Sequence, residues 1–133
     1  MIGKAVAFVT LIVVAAFAVA PASSAEWCNP NQPLSGAMLF ADNCAACHGA
    51  HATGGQTPSR VAAPDLTALA RRAKGKFPAP RVADIIRFGG ALPDHRIDSQ
   101  MPVWAKIFYV ECGPVYSRRV VVALMQYLQA LQK

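Results

Sequence analysis

Five consecutive residues constrain this 133-residue chain more than any others: Cys44-Ala45-Ala46-Cys47-His48. Thiols at this spacing lie one helical turn apart, and a C-x-x-C-H run is the pattern of covalent c-type haem attachment. The spacing has a physical logic. Both thiols can add to the two vinyl groups on one edge of a porphyrin, and the adjacent imidazole of His48 then reaches the iron. Two other chemistries use paired cysteines. A disulfide redox motif belongs beside a strand in a βαβ unit, and no strand alternation is apparent in this sequence. Structural zinc needs further ligands, and the remaining His51, His95, Cys28 and Cys112 show no paired spacing. The motif therefore predicts one covalent haem c, attached through Cys44 and Cys47, with His48 as one axial ligand.

Thioether attachment to haem takes place outside the cytoplasm, and the N-terminus reads as an export signal. Lys4 supplies the positive n-region, Ala5 to Ala20 the apolar stretch, and Ser23-Ser24-Ala25 a small-residue cleavage site. The chain is thus expected to divide into a signal peptide over 1–25, cleaved after Ala25, and one domain over 26–133 in the periplasm. The alternative is an anchor facing the periplasm, because the uncharged run from Ala5 to Ala25 is about long enough to span a bilayer if nothing cuts it. The Ala-rich run, Pro21 and the lack of a following basic stop-transfer cluster favour cleavage. Of the first 25 residues, 19 are apolar, so the overall 54% hydrophobic content overstates the core. The remainder has an ordinary globular apolar fraction, which argues against disorder, a multispan membrane protein and a collagen-like chain.

Helical periodicity recurs along the domain. Leu34, Ala37, Met38, Ala41, Cys44 and Ala45 share helical spacing over Leu34 to Cys47, with Ser35 a candidate cap. Gly49 to Pro64 reads as loop. A second helix is expected from Asp65 to Lys74, ended by Gly75. A third begins at Pro80 and stops at Gly89-Gly90. Ala91 to Pro114, with three prolines and no sustained period, reads as an irregular connection. Val120, Leu124, Tyr127, Leu128 and Leu131 mark the clearest helix, Val115 to Gln132, with Arg118, Arg119, Gln126 and Gln129 outward. The fold class is all-α: about four short helices whose long loops are unusual in so small a domain unless a ligand organises them.

A second axial ligand must come from Met38, Met101, Met125, the other histidines or the other cysteines. Met38 and Met125 fall inside amphipathic helices, where flexible core filler is the simpler reading. Met101 lies in Gln100-Met101-Pro102-Val103-Trp104, 53 residues after His48 in irregular backbone. A long loop there can return to the opposite haem face, and Pro102 restricts it and removes a donor. Met101 is the expected ligand, with His95 or Cys112 as substitutes.

These motifs, in this order, resemble the class I c-type cytochromes of bacteria. The resemblance runs from Gly36 to Leu131. It takes in Gly36 and Phe40, then Cys44 to Gly49, Ala63-Pro64-Asp65-Leu66, Met101-Pro102-Val103-Trp104 and Leu124-Met125-Gln126-Tyr127-Leu128. It implies the small cytochrome c fold, wrapped around one haem. It also implies that the first and last helices cross, bringing Gly36 and Phe40 onto Tyr127, and that the Pro64 carbonyl accepts the proton of the proximal imidazole. Leu66 and Trp104 are expected at the cofactor, with Arg60, Arg96 and Trp104 as candidates near the propionates. Two segments lie outside the minimal pattern, Glu26 to Pro33 and Phe108 to Val115, and they hold the spare cysteines. A Cys28–Cys112 disulfide is expected in an exported protein; buried or free thiols, or an intermolecular link through Cys28, are the alternatives.

The charge is a weaker guide. The net +6 falls to +5 when Lys4 is removed with the signal, and to about +3 with two ionised propionates. Arg71, Arg72, Lys74 and Lys76 form one basic group and Arg118 and Arg119 another; both read as solvated surface or as docking sites for an acidic redox partner. Nucleic acid is a poor partner for an exported haem protein. Electron transfer between redox partners is the expected function, with both axial positions filled and no substrate transformed. The alternatives are an electron-accepting cytochrome subunit of a periplasmic dehydrogenase, and a haem sensor or enzyme with a labile distal ligand.

Overall fold

The computed structural model describes residues 28–57, 60–89 and 100–133. The expected signal and its cleavage site, together with His95 and Arg96, lie outside the described residues.

The first helical stretch is divided in two: α1 (Gly36–Asn43) and α2 (Ala45–His48). Ser35 caps α1 as its sequence position suggests, its Oγ accepting from the Met38 amide at 3.3 Å. The division falls at Cys44, where Asn43 turns its side-chain amide back onto the Leu39 carbonyl at 2.9 Å. Such local side-chain bonds compete with the helical ladder. The expected loop after His48 contains a small antiparallel ladder, β1 (Gly55–Gln56) against β2 (Ala62–Ala63), with Gly55 opposite Ala63 and Gln56 opposite Ala62. Strands of two residues are too short to show alternation. Thr57 holds their connection: its amide donates to the Val61 carbonyl at 2.9 Å, and its Oγ1 accepts from the Val61 amide at 3.0 Å.

The helix expected over Asp65 to Lys74 is limited to α3 (Leu69–Arg72). Asp65 accepts from both the amide and the hydroxyl of Thr67, at 2.8 and 2.7 Å, and this Asx turn holds the first residues out of helix. The next helix, α4 (Ala79–Phe88), starts with Pro80 in its first turn and ends at Gly89, close to the sequence reading. The largest departure is α5 (Trp104–Ala130), whose first half lies in the region read as irregular. Pro114 does not break it, because proline suits the first position of a helix, where its missing N–H has no partner to lose. The change of direction is made one residue earlier, at Gly113 (φ 79°, ψ 179°). Two arms result, braced by the Ser117 hydroxyl donating to the Ala105 carbonyl at 2.8 Å.

Both α1 and α4 pack on α5. Phe40, Val82, Ile86, Phe108, Val120, Val121, Leu124 and Leu128 form the buried core, each such side chain contributing about 1.5–3 kcal/mol through removal from water. Phe40 meets Tyr127 with ring centroids 5.5 Å apart, tilted by 47°. Gly36 permits the crossing, since a Cβ there would lie 2.7 Å from the Tyr127 Cβ and strike the Ala123 carbonyl. Met38, expected as core filler, is instead 65% exposed, on the solvent side of α1. Cys28 and Cys112 are joined across 84 residues with Cα atoms 5.1 Å apart. Arg119 reinforces the same junction by donating to the carbonyls of Asn29, Pro30 and Gln32. At the other end, Gln132 accepts from the Ala70 amide and donates to the carbonyls of Leu66 and Leu128.

Candidate functional site

α2 presents the motif residues to a cavity of about 220 Å³. Cys44, Cys47 and His48 occupy one part of its lining. Pro64 and Leu66 come from the segment after β2, and Met101 and Trp104 from the approach to α5. All seven residues expected at the cofactor therefore meet at one cavity. Gln100 and Pro102 flank Met101 there. Arg60 is exposed and stands outside that lining, so the structure does not bring it to the site as expected.

The local order of the motif follows from its backbone. The His48 amide bonds to the Cys44 carbonyl at 2.9 Å, closing the turn that brings the two cysteines onto one side. Gly49, at φ 77°, then leaves the helix in the left-handed region that favours glycine. The chain returns closely: a Cβ on Gly55 would sit 2.5 Å from the Cys47 carbonyl. The Gly54-Gly55 pair is the sequence signal of this approach; of the residues that follow it into the cavity lining, Thr57, Val61 and Ala62 carry no motif, and Ala63 opens the Ala63-Pro64-Asp65-Leu66 run. These small or β-branched side chains, together with Leu69, Val82, Ile85, Ile86 and Leu128, make the lining largely apolar.

His48 Nδ1 lies 3.1 Å from the Pro64 carbonyl oxygen. A carbonyl can only accept, so this bond places the proton on Nδ1 and leaves the Nε2 lone pair available to a metal. Cys44 and Cys47 are not bonded to each other. Burial, with a smaller contribution from neighbouring Cys47, pushes the Cys44 thiol up to about 11, so that it is uncharged in the cavity wall at neutral pH. Among the described residues, no group of three or more His, Cys, Asp or Glu is placed to hold a metal ion by itself. Nor is any helix among them long and apolar enough to cross a membrane.

The donor set and its surroundings fit a haem: two thiols one turn apart, an imidazole with its outer nitrogen fixed, a thioether at the same cavity, and an apolar lining. The family model for cytochrome c matches residues 34–132. No curated protein and no solved structure matches the chain significantly. The family match covers every element from α1 to α5 and contains the C-x-x-C-H motif, so the chain belongs to the cytochrome c family, which carries one covalently bound haem c and uses it in electron transfer.

Proposed function

We propose that this cytochrome carries single electrons between protein partners outside the cytoplasm, with His48 and Met101 as the axial ligands of its haem. The observation that carries this reading is the shared cavity: His48, oriented by Pro64 at 3.1 Å, and the Met101 side chain line the same space. Bound haem supplies an iron that takes up and releases one electron. Cys44 and Cys47 hold the porphyrin edge at α2, and Pro64 keeps the imidazole in the tautomer that binds metal and raises its basicity. Met101 fills the remaining position, which keeps exogenous ligands away and sets a higher potential than a second histidine would. Leu66 and Trp104 restrict water around these groups.

In this reading the protein is a class I bacterial cytochrome, exported with cleavage after Ala25, that works in the periplasm as a carrier and not as an enzyme. Arg71, Lys74 and Lys76 are exposed around the turn after α3, and docking to an acidic partner through them speeds encounter and weakens with salt. One observation favours the reading as an electron-accepting subunit of a dehydrogenase. Tyr109 and Val110, in the first arm of α5, are 56% and 74% exposed, which suits a lasting apolar interface better than brief encounters. Co-purification of an oxidoreductase through a high-salt wash separates that role from a free shuttle. The ligand assignment is tested by the ferric spectrum: the weak red charge-transfer band of methionine-ligated haem is expected in the wild type and absent from Met101→Ala. A high-spin wild-type spectrum with ready carbon monoxide binding would overturn it in favour of a sensor or enzyme.

A further inference from the structure

Where α4 ends, its last amide bond runs from the Gly89 N–H to the Ile85 carbonyl, and Gly89 itself is buried at φ 56° and ψ −134°. The backbone of Met101 and Pro102 lies directly against it. A Cβ at position 89 would strike the Met101 carbonyl oxygen, and would sit 2.6 Å from the Pro102 carbonyl oxygen and 2.9 Å from the carbonyl carbon. These obstacles are backbone atoms, so no change of rotamer relieves them. The loop would have to move.

Two other glycines separate this contact from the cost of a left-handed backbone. Gly75 and Gly113 also have positive φ, at 88° and 79°, yet a Cβ on either meets nothing within 4 Å. Gly89 combines the conformation with a close approach, and the chain it touches bears the proposed ligand. On the far side, the Pro102 carbonyl accepts the Trp104 amide at 3.1 Å, at the entry to α5. The Met101 backbone is therefore set between the end of one helix and the start of another.

We infer that Gly89 is a positioning residue for Met101: its missing side chain lets the Met101–Pro102 backbone lie against the end of α4, and this seat sets the reach of the thioether. The inference rests on Met101 being an axial ligand, as proposed above. A Cβ at residue 89 would displace the Met101–Pro102 backbone and draw the thioether away from the iron, without touching the covalent attachment at Cys44 and Cys47.

The test compares ferric holoproteins carrying Gly89→Ala, Gly75→Ala and Met101→Ala with the wild type, reading the red charge-transfer band, the reduction potential and the rate of cyanide binding. Gly89→Ala is expected to retain covalent haem, lose most of the band, and show a lowered potential. It should bind cyanide on the order of tenfold to a hundredfold faster, the range an overpacked contact produces. Gly75→Ala is expected to match the wild type in all three. A Gly89→Ala protein with an unchanged band, potential and cyanide rate overturns the inference, as does a Gly75→Ala protein with the same losses. If Gly89→Ala does not accumulate as holoprotein, the Gly89→Ala/Met101→Ala double variant decides. Its loop is released from the iron and free to shift, so it should accumulate as Met101→Ala does; failure of the double variant alone assigns Gly89 to the fold and overturns the inference. A wild type without the band removes the Met101 assignment itself, a result distinct from any of these.

Discussion

Replacing Cys28 and Cys112 together with serine removes the longest covalent constraint in the chain. The bond closes a loop of 84 residues, and the loop-closure entropy for that length corresponds to about 4.5 kcal/mol at 25 °C. Haem attachment at Cys44 and Cys47 ties residues three positions apart and leaves this long-loop contribution intact. The native arrangement has a second, non-covalent hold on the same junction, because Arg119 donates to the carbonyls of Asn29, Pro30 and Gln32. The double serine variant should therefore keep its native visible spectrum while losing stability. For a domain of this size the loss equals a fall in melting temperature of roughly 15–20 °C, and it is a large share of the ~5–15 kcal/mol typical of folded domains. Urea unfolding of both proteins, followed by far-ultraviolet circular dichroism, measures it. The midpoint should drop, and the slope should rise as the unlinked denatured chain exposes more surface. Two free energies agreeing within the extrapolation error of about 10–15% would refute the reasoning. So would a thiol titration of the unfolded, unreduced holoprotein that finds two reactive groups, since the bond would then be absent.

Two further substitutions test the packing and the pH response. Gly36→Ala places a methyl group against the Ala123 carbonyl and the Tyr127 Cβ, and should cost about 1–3 kcal/mol by overpacking, read by urea unfolding with the ferric spectrum unchanged. Asp65 is held below its ordinary 3.8 by the Thr67 hydroxyl and amide, and further by Arg72 and Arg71. Its contribution is therefore present above pH 3.8 and is lost as pH falls through the lower folded value. Asp65→Asn should be less stable than the wild type at neutral pH, with the difference narrowing in that acid range; a difference constant down to acid unfolding would count against the carboxylate's role.

How much of this was legible in the sequence depended on whether the responsible force is local. The haem motif, the Ser35 cap, the end of α4 at glycine and the apolar face of Val120, Leu124 and Leu128 follow from spacing and backbone preference, and the structure places them accordingly. α3 is shorter than the helix expected over Asp65 to Lys74 because apolar spacing in that segment says nothing of the Asx turn at Asp65. The first arm of α5 is not legible because Pro114 reads as a stop in a window of sequence, whereas Gly113 lets it start a new arm. Met38 shows the same limit: its spacing marks a helix face, but which face turns inward depends on where α5 lies.

The site divides along the same line. Cys44, Cys47 and His48 are contiguous, so their chemistry is written in one turn of helix. Met101 is set apart by elimination and by its neighbour Pro102, since the other described methionines lie in helices, one of them largely exposed. Its location depends on contacts between residues far apart in the chain, and that part was not legible. Gly89 reads as a helix stop like Gly75, and only the folded arrangement shows that one faces open space while the other bears the Met101–Pro102 backbone. On the proposed assignment of His48 and Met101, one ligand is specified by local sequence and the other by tertiary fit. The second is where small changes in packing, far from Cys44 and Cys47, should reach the iron most directly.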